Sequence, residues 1–229
     1  MKNKVEYLIV GQGLAGTMLA FEMLQNNIDF RIVASKEKSR ASMVAAGMVN
    51  PLVFKRLTKS WLVDDLLPVM FETFSKLEKL LGEKFYFEKD ILKPLSEQEK
   101  QLWLERKEIA GFSKFIVSVH DQSNLKYLSN AAAFGRVTQS GYFNLSSFLD
   151  ASEKFFKTKN LLIESTFNQN DIEVSAKSFR TESCSASKIV FCEGHHLVQN
   201  HLFQFVKMNP TKGEVLIIEA PDLSEEYIL

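Results

Sequence analysis

Three glycines near the start of the chain, Gly11, Gly13 and Gly16, have the spacing with which a backbone can hold a diphosphate. Each has its own physical task. Gly11 permits a tight turn out of a strand, Gly13 leaves main chain bare where a phosphate must lie, and Gly16 lets helix and strand pack closely. The helix that follows offers unpaired N–H groups and a positive dipole end to the anion. A G-x-G-x-x-G pattern alone is weak evidence. Here the apolar run Tyr7 to Val10 leads into it, and Ala20 continues a helix one turn beyond it.

In such a unit the second strand usually ends in an acidic residue that accepts hydrogen bonds from ribose hydroxyls. That place falls at Ala34, with Ser35 next and Glu37 beyond. Losing one charge-assisted bond costs roughly 1.5–3 kcal/mol, or about one to two decades of affinity. Ser35 can recover part of it. Other chemistry is thin. His195 and His196 read as exposed turn histidines ahead of a catalytic pair, and His120 and His201 have no partners at metal-ligand spacing. Lys55, Arg56 and Lys59 beside Trp61 read as a solvated basic segment ahead of a steering patch for an anionic substrate. Spacing assigns no nucleophile–histidine–acid set.

The elements that must position these residues begin with strand, helix, strand: Tyr7 to Val10, Leu14 to Gln25 and Phe30 to Val33, with Asn26-Asn27 as the turn. Parallel strands joined by a helix start a doubly wound sheet. A loop of small residues, Ser39 to Pro51, follows. A long amphipathic helix carries Leu67, Met70, Phe71, Phe74, Leu77 and Leu81 and stops at Gly82, with Pro68 expected in its first turn. Phe85 to Leu92 reads as one strand, and Ser96-x-x-Glu99 as a capping box opening a helix toward Ala110. Phe112 to Val137 mixes short strands and turns. Asn144 caps a helix that buries Leu145, Phe148, Leu149, Phe155 and Phe156. Leu161 to Glu164, Ile172 to Ser175 and Phe179 to Glu182 read as a small meander, Ser187 to Cys192 as a buried strand, and Glu214 to Glu219 as another.

Composition narrows the class. A chain of 229 residues holds one large domain or two small ones. Its 28 basic and 28 acidic residues balance, so no nucleic-acid partner is expected. Cys184 and Cys192 make no metal-type spacing and read as reduced thiols, which fits a reducing cytoplasm. Lys2 and Lys4 before an apolar run mimic a secretory signal, but the glycines and Glu22 break it. No stretch is long and apolar enough for membrane insertion. The 19 phenylalanines predict an aromatic-rich core.

Four segments together resemble the flavin-dependent oxidoreductases of the D-amino-acid oxidase and glycine oxidase family. They are Gly11 to Gly16 with Ala20, the small loop Met43 to Pro51, Gly141 to Leu145 before a helix, and Ile189 to Gly194. The resemblance runs in order over essentially the whole chain. It implies an α/β fold: a Rossmann-like FAD-binding domain of residues 1–56 and 139–202, intertwined with an incomplete α+β substrate domain of residues 57–138 and 203–229. It implies FAD as cofactor and a small amine or amino acid as substrate, oxidised at its C–N bond by hydride transfer to flavin. The pyrophosphate is expected at Gly11, Gln12, Gly13, Leu14, Ala15 and Gly16, the ribose at Ala34 and Ser35, and the flavin ring near Ala45, Ala46, Gly47, Met48 and Asn50. Phe167 is a candidate for adenine contacts, and Cys192, Glu193 and Gly194 approach the cofactor from another strand end. No catalytic residue and no metal ligand is assigned.

Family members continue well past the strand equivalent to Glu214 to Glu219, so the chain reads as a fragment or a naturally truncated product. Two other readings stay open. One is the related flavin domain that oxidatively trims a modified uridine in transfer RNA, against which the neutral charge weighs. The other is a non-catalytic remnant of the fold, which Ala34 and the early stop favour. An NAD-dependent dehydrogenase fits the small-residue loop and the later glycine less well.

Overall fold

The computed structural model describes residues 4–35, 40–121, 131–176, 178–182, 184–220 and 225–229. They form two compact units, Met1–Ala45 with Leu145–Val215 and Ala46–Asn144 with Leu216–Leu229. Residues 46–56 and 139–144, expected in the cofactor domain, fall in the second unit, and 203–215 in the first.

The chain opens with β1 (Lys4–Val10), α1 (Leu14–Gln25) and β2 (Phe30–Ala34), the strands parallel and in register from Tyr7↔Phe30 to Val10↔Val33. A short helix α2 (Ala41–Val44) then ends the first pass through this unit.

The second unit holds β3 (Met48–Val49), β4 (Leu52–Val53), β5 (Thr58–Lys59), α3 (Val63–Leu81), β6 (Tyr86–Glu88), β7 (Ile91–Leu95), α4 (Glu97–Lys107), β8 (Ile116–His120), β9 (Ala133–Val137) and β10 (Gly141–Phe143). Helix α3 starts earlier than the periodicity predicts, so Pro68 sits in its second turn rather than its first. Asp64 and Asp65 favour that early start by lying at the positive end of the dipole. The strand expected over Phe85 to Leu92 is two strands in two sheets, β3-β10-β6 and β7-β9-β8. The ribbon of β6–β7 against β9–β10 breaks where Glu88 pairs Gly141 but Ile91 pairs Val137. The second side carries one extra residue there, Gln139 takes φ 54°, and the Ser140 hydroxyl donates to Lys89 O at 3.0 Å. That is a bulge, which turns the ribbon from one sheet into the next. Residues 122–130, part of the mixed stretch, lie outside the described residues. Trp103 from α4 anchors the core of this unit and is fully buried.

The chain returns to the first unit with α5 (Leu145–Thr158), β11 (Leu162–Glu164), β12 (Glu173–Val174), β13 (Phe179–Arg180) and β14 (Ser185–Phe191). The sheet has the order β11-β2-β1-β14-β13-β12. Its first four strands are parallel, and β13 and β12 add antiparallel. The expected three-strand meander is therefore split. β11 joins β2 at one edge while β12 and β13 join β14 at the other, because a parallel β11 extends the crossover set by α5. Phe21 of α1 packs on Phe156, Phe155 and Phe148 of α5 with ring centroids 4.7, 5.7 and 6.1 Å apart. This is the aromatic core that the phenylalanine count predicts.

Glu214 to Glu219 is not a strand. Val215, Leu216, Ile217 and Ile218 are exposed, and the segment pairs with no described strand. β-Branched composition favours a pleated, half-buried site but does not create one without a neighbour. Among the described residues no helix is long and apolar enough to cross a membrane, and no group of three or more His, Cys, Asp and Glu could hold a metal ion.

Candidate dinucleotide-binding site

The parallel strands of the first unit end together. Gly11 N donates to Val33 O at 2.9 Å and Cys192 N donates to Val10 O at 2.7 Å, so the ends of β2, β1 and β14 share one edge. Open α/β sheets bind ligands in the crevice beyond the carboxyl ends of their strands. A cavity of about 380 Å³ lies there.

Two of the three glycines are required by the protein's own packing. Gly11 has φ 102°, and a Cβ on it would collide with the Cys192 carbonyl. A Cβ on Gly16 would collide with the Gly11 carbonyl and press on Cys192 Cβ. Gly13 differs. It adopts φ −80°, ψ −169°, extended backbone open to any residue, and the nearest atom to an added Cβ is Ser42 Oγ at 3.6 Å. Among the described residues nothing excludes a side chain at Gly13, which lines the cavity.

The surroundings suit an anion. Helix α1 has no acidic residue in its first turn and no side-chain cap. Ser42 Oγ accepts from Leu14 N at 3.2 Å, so one helix-start donor is engaged. Arg40 donates to Gln12 O at 3.3 Å and reaches Glu153 of α5 at 3.4 Å. Burial raises the Glu153 pKa, but hydrogen bonds from Lys157 (2.8 Å) and Arg40 outweigh it and hold the carboxyl below its ordinary value. Gln12 is 2 % exposed and is among the residues that line the cavity, and neither its amide nitrogen nor its oxygen has a partner among the described residues. A buried carboxamide left unpaired costs about 1–3 kcal/mol, so a polar ligand beside it would relieve a real penalty.

Of the residues singled out from sequence, Gly11 to Ala15, Ala34, Ser35, Phe167 and Cys192 to Gly194 line this cavity together. Gly16 does not line it and is buried beneath the turn. Ala45 ends the first unit, and Ala46, Gly47, Met48 and Asn50 belong to the second. There Met48 pairs with Tyr142 of β10, and a Cβ on Gly47, at φ 67°, would collide with the Phe143 carbonyl. Asn50 Oδ1 accepts from Leu52 N at 3.0 Å, an Asx turn across Pro51. Burial pushes the Cys192 thiol up, and the Glu193 carboxylate accepts from Asn200 Nδ2 at 2.7 Å.

Arg40, Ser42, Ser165, His195 and His196 also line the cavity. The two histidine rings lie 4.0 Å apart. The sequence favours exposed turn histidines here over a pair near the cofactor, and it gives no prominence to Arg40. Its only local signal was a guanidinium two residues before a serine in a loop of small residues.

No family model matches the sequence. Solved structures do match its fold. Glycine oxidase from Geobacillus kaustophilus superposes with TM-score 0.63 at 18% identity over 86% of this chain and 57% of that one. L-amino acid deaminase from Proteus vulgaris gives 0.60 at 16% over 86% and 49%. Iminodiacetate oxidase from Chelativorans sp. BNC1 gives 0.62 at 13% over 85% and 56%. The chain has the α/β fold these proteins share and spans about half their length. The resemblance read from the motifs thus has its counterpart in three dimensions.

Proposed function

We propose that the chain binds FAD in the cavity at the ends of β2, β1 and β14, and that it serves oxidation of the C–N bond of a small amine or amino acid. The observation that carries this reading is Gly13, a bare backbone position that lines the cavity and at which no described atom stands in the way of a side chain. The fold neighbours supply the reaction class, since their names are those of amino-acid deaminases and amine-type oxidases. When bound, FAD supplies the hydride-accepting centre.

The chain's residues do the holding. The start of α1, with no acid in its first turn, takes the diphosphate, and Arg40 offsets its charge. Gln12 gains a polar partner. Ser35 serves the ribose in place of a carboxylate, and Phe167 packs at the adenine end. Gly16 acts indirectly, by letting α1 approach the turn.

Titrating the purified chain with FAD and following quenching of flavin fluorescence tests the reading. Saturable binding at one FAD per chain is expected. No binding at about 100 μM FAD, a free energy weaker than roughly −5.5 kcal/mol, would overturn it.

A further inference from the structure

We propose that helix α3 pairs antiparallel with α3 of a second copy of this chain. The face concerned belongs to the second unit and is independent of the cofactor reading.

Helix α3 carries apolar residues on two faces. Val63, Leu67 and Leu77 are buried, and the first two join the core that contains Trp103. A second row runs Leu62, Leu66, Val69, Thr73, Lys76 and Leu80, at steps of four, three, four, three and four residues. That is the spacing of a seam between paired helices. Its four apolar members are 46–58 % exposed, and Trp61 at its start is 79 % exposed. A helix face meant for water carries charged and polar residues in place of such a row. Clustered exposed apolar side chains mark an interaction surface.

Register and charge select the partner. In an antiparallel pair of α3 helices, Leu62 faces Leu80 of the second copy, Leu66 faces its Lys76 and Val69 faces its Thr73. The two-fold axis repeats each layer. Every layer then holds at least one apolar side chain, and the Lys76 stem packs on Leu66 while its ammonium stays in water. The exposed charges flanking the row are unevenly spread, with Asp65 and Glu72 toward its start and Lys79 toward its end. Antiparallel pairing sets Asp65 near Lys79 of the second copy, twice. Glu72 meets its mate near the axis, each paired with its own Lys76 at 2.6 Å. A parallel pair would set Lys76 against Lys76 and gather Asp64 and Asp65 with their mates, so charge favours the antiparallel form. The same acids disfavour an anionic membrane surface, which an exposed tryptophan near Lys55 and Arg56 would otherwise suit. The 19 residues of α3 span about 28 Å. Such a seam, with Trp61 at each end, buries on the order of 1,000 Å², the low end for a specific interface, so a reversible dimer in about the micromolar range is expected.

Sedimentation velocity of the full chain from about 1 to about 200 μM tests this. A reversible monomer–dimer equilibrium is expected. Val69→Lys, at an exposed position, should weaken it by at least about tenfold. Asp65→Lys should weaken it by about threefold, and adding Lys79→Asp should bring it back to within about twofold of the original chain, a rescue that a folding fault would not give. A chain that stays monomeric throughout that range overturns the proposal. So does a dimer that Val69→Lys leaves unchanged, or one that the charge exchange fails to restore. A monomer that binds phosphatidylserine-containing vesicles and loses them on Trp61→Ala would also overturn it and assign the row to a membrane surface.

Discussion

Replacing Gly13 and replacing Gly16 should have opposite consequences, because one glycine answers to a ligand and the other to the fold. At Gly13 an alanine meets Ser42 Oγ at 3.6 Å, an ordinary contact, and its backbone angles suit any residue. The loss of a favoured N-cap residue costs up to about 1 kcal/mol. The stiffer unfolded chain returns about 0.4–1 kcal/mol. The two nearly cancel, so Gly13→Ala should move Tm by no more than about 4 °C. At Gly16 the added methyl overlaps the Gly11 carbonyl in a buried turn, which must shift to admit it. Such overpacking costs about 1–3 kcal/mol.

Ligand binding should invert that order. Gly13→Val sets a branched side chain where the diphosphate is proposed to meet bare main chain, and should weaken FAD by at least about a hundredfold, roughly 2.7 kcal/mol. Thermal melts followed by circular dichroism read the first quantity, and FAD titration of the folded variants reads the second. A Gly13→Val protein that is folded and binds FAD within threefold of the original would refute the placement. So would a Gly13→Ala protein destabilised as much as Gly16→Ala, since packing would then explain both glycines.

Two further outcomes follow from geometry. The folded-state pKa of Glu153 lies below its ordinary 4.5, so the stability of its network with Lys157 and Arg40 is present above that pH and is lost as pH falls through the folded value. Urea midpoints measured from pH 6 to pH 3 should therefore fall less steeply for Glu153→Gln than for the original chain. In the second unit a Cβ on Gly135 would collide with the Trp103 indole, which is fully buried. Gly135→Ala should cost at least about 1–3 kcal/mol in a chemical unfolding experiment, and a neutral result would mean that this ring has room to move.

What could be read from sequence was whatever is decided locally. Helix α1 runs from Leu14 to Gln25 because a glycine turn starts it and Asn27, at φ 54°, ends it. The capping box of Ser96 and Glu99 is formed at both of its hydrogen bonds, and α3 stops at Gly82 in the left-handed conformation. Non-local decisions were not readable. Alternation marks Leu162–Glu164 and Phe179–Arg180 alike as strands, and nothing in it says that they join opposite edges. Glu214 to Glu219 has the composition of a strand and pairs with no described strand. Arg40 is one of several charges in the stretch Lys36 to Arg40, and only the fold shows that it grips the glycine turn through Gln12 O.

The glycines of the two motifs differ in what they say about a ligand. Gly47 belongs to a run whose small residues would suit a flat ring, yet its glycine is already explained by its left-handed φ and by the Phe143 carbonyl in its way. The same holds for Gly11 and Gly16, which any close-packed strand–turn–helix unit of this kind would need, with or without a cofactor. Gly194 lines the cavity with open space around it, but its φ of 57° gives it a conformational reason to be glycine. Gly13 has no steric reason and no left-handed backbone within the described residues, and its place at the N-cap of α1 is a preference that serine, threonine, aspartate or asparagine would meet as well. Its missing side chain is accounted for by an occupant of the cavity, and the unpaired Gln12 carboxamide beside it points to an occupant that is polar.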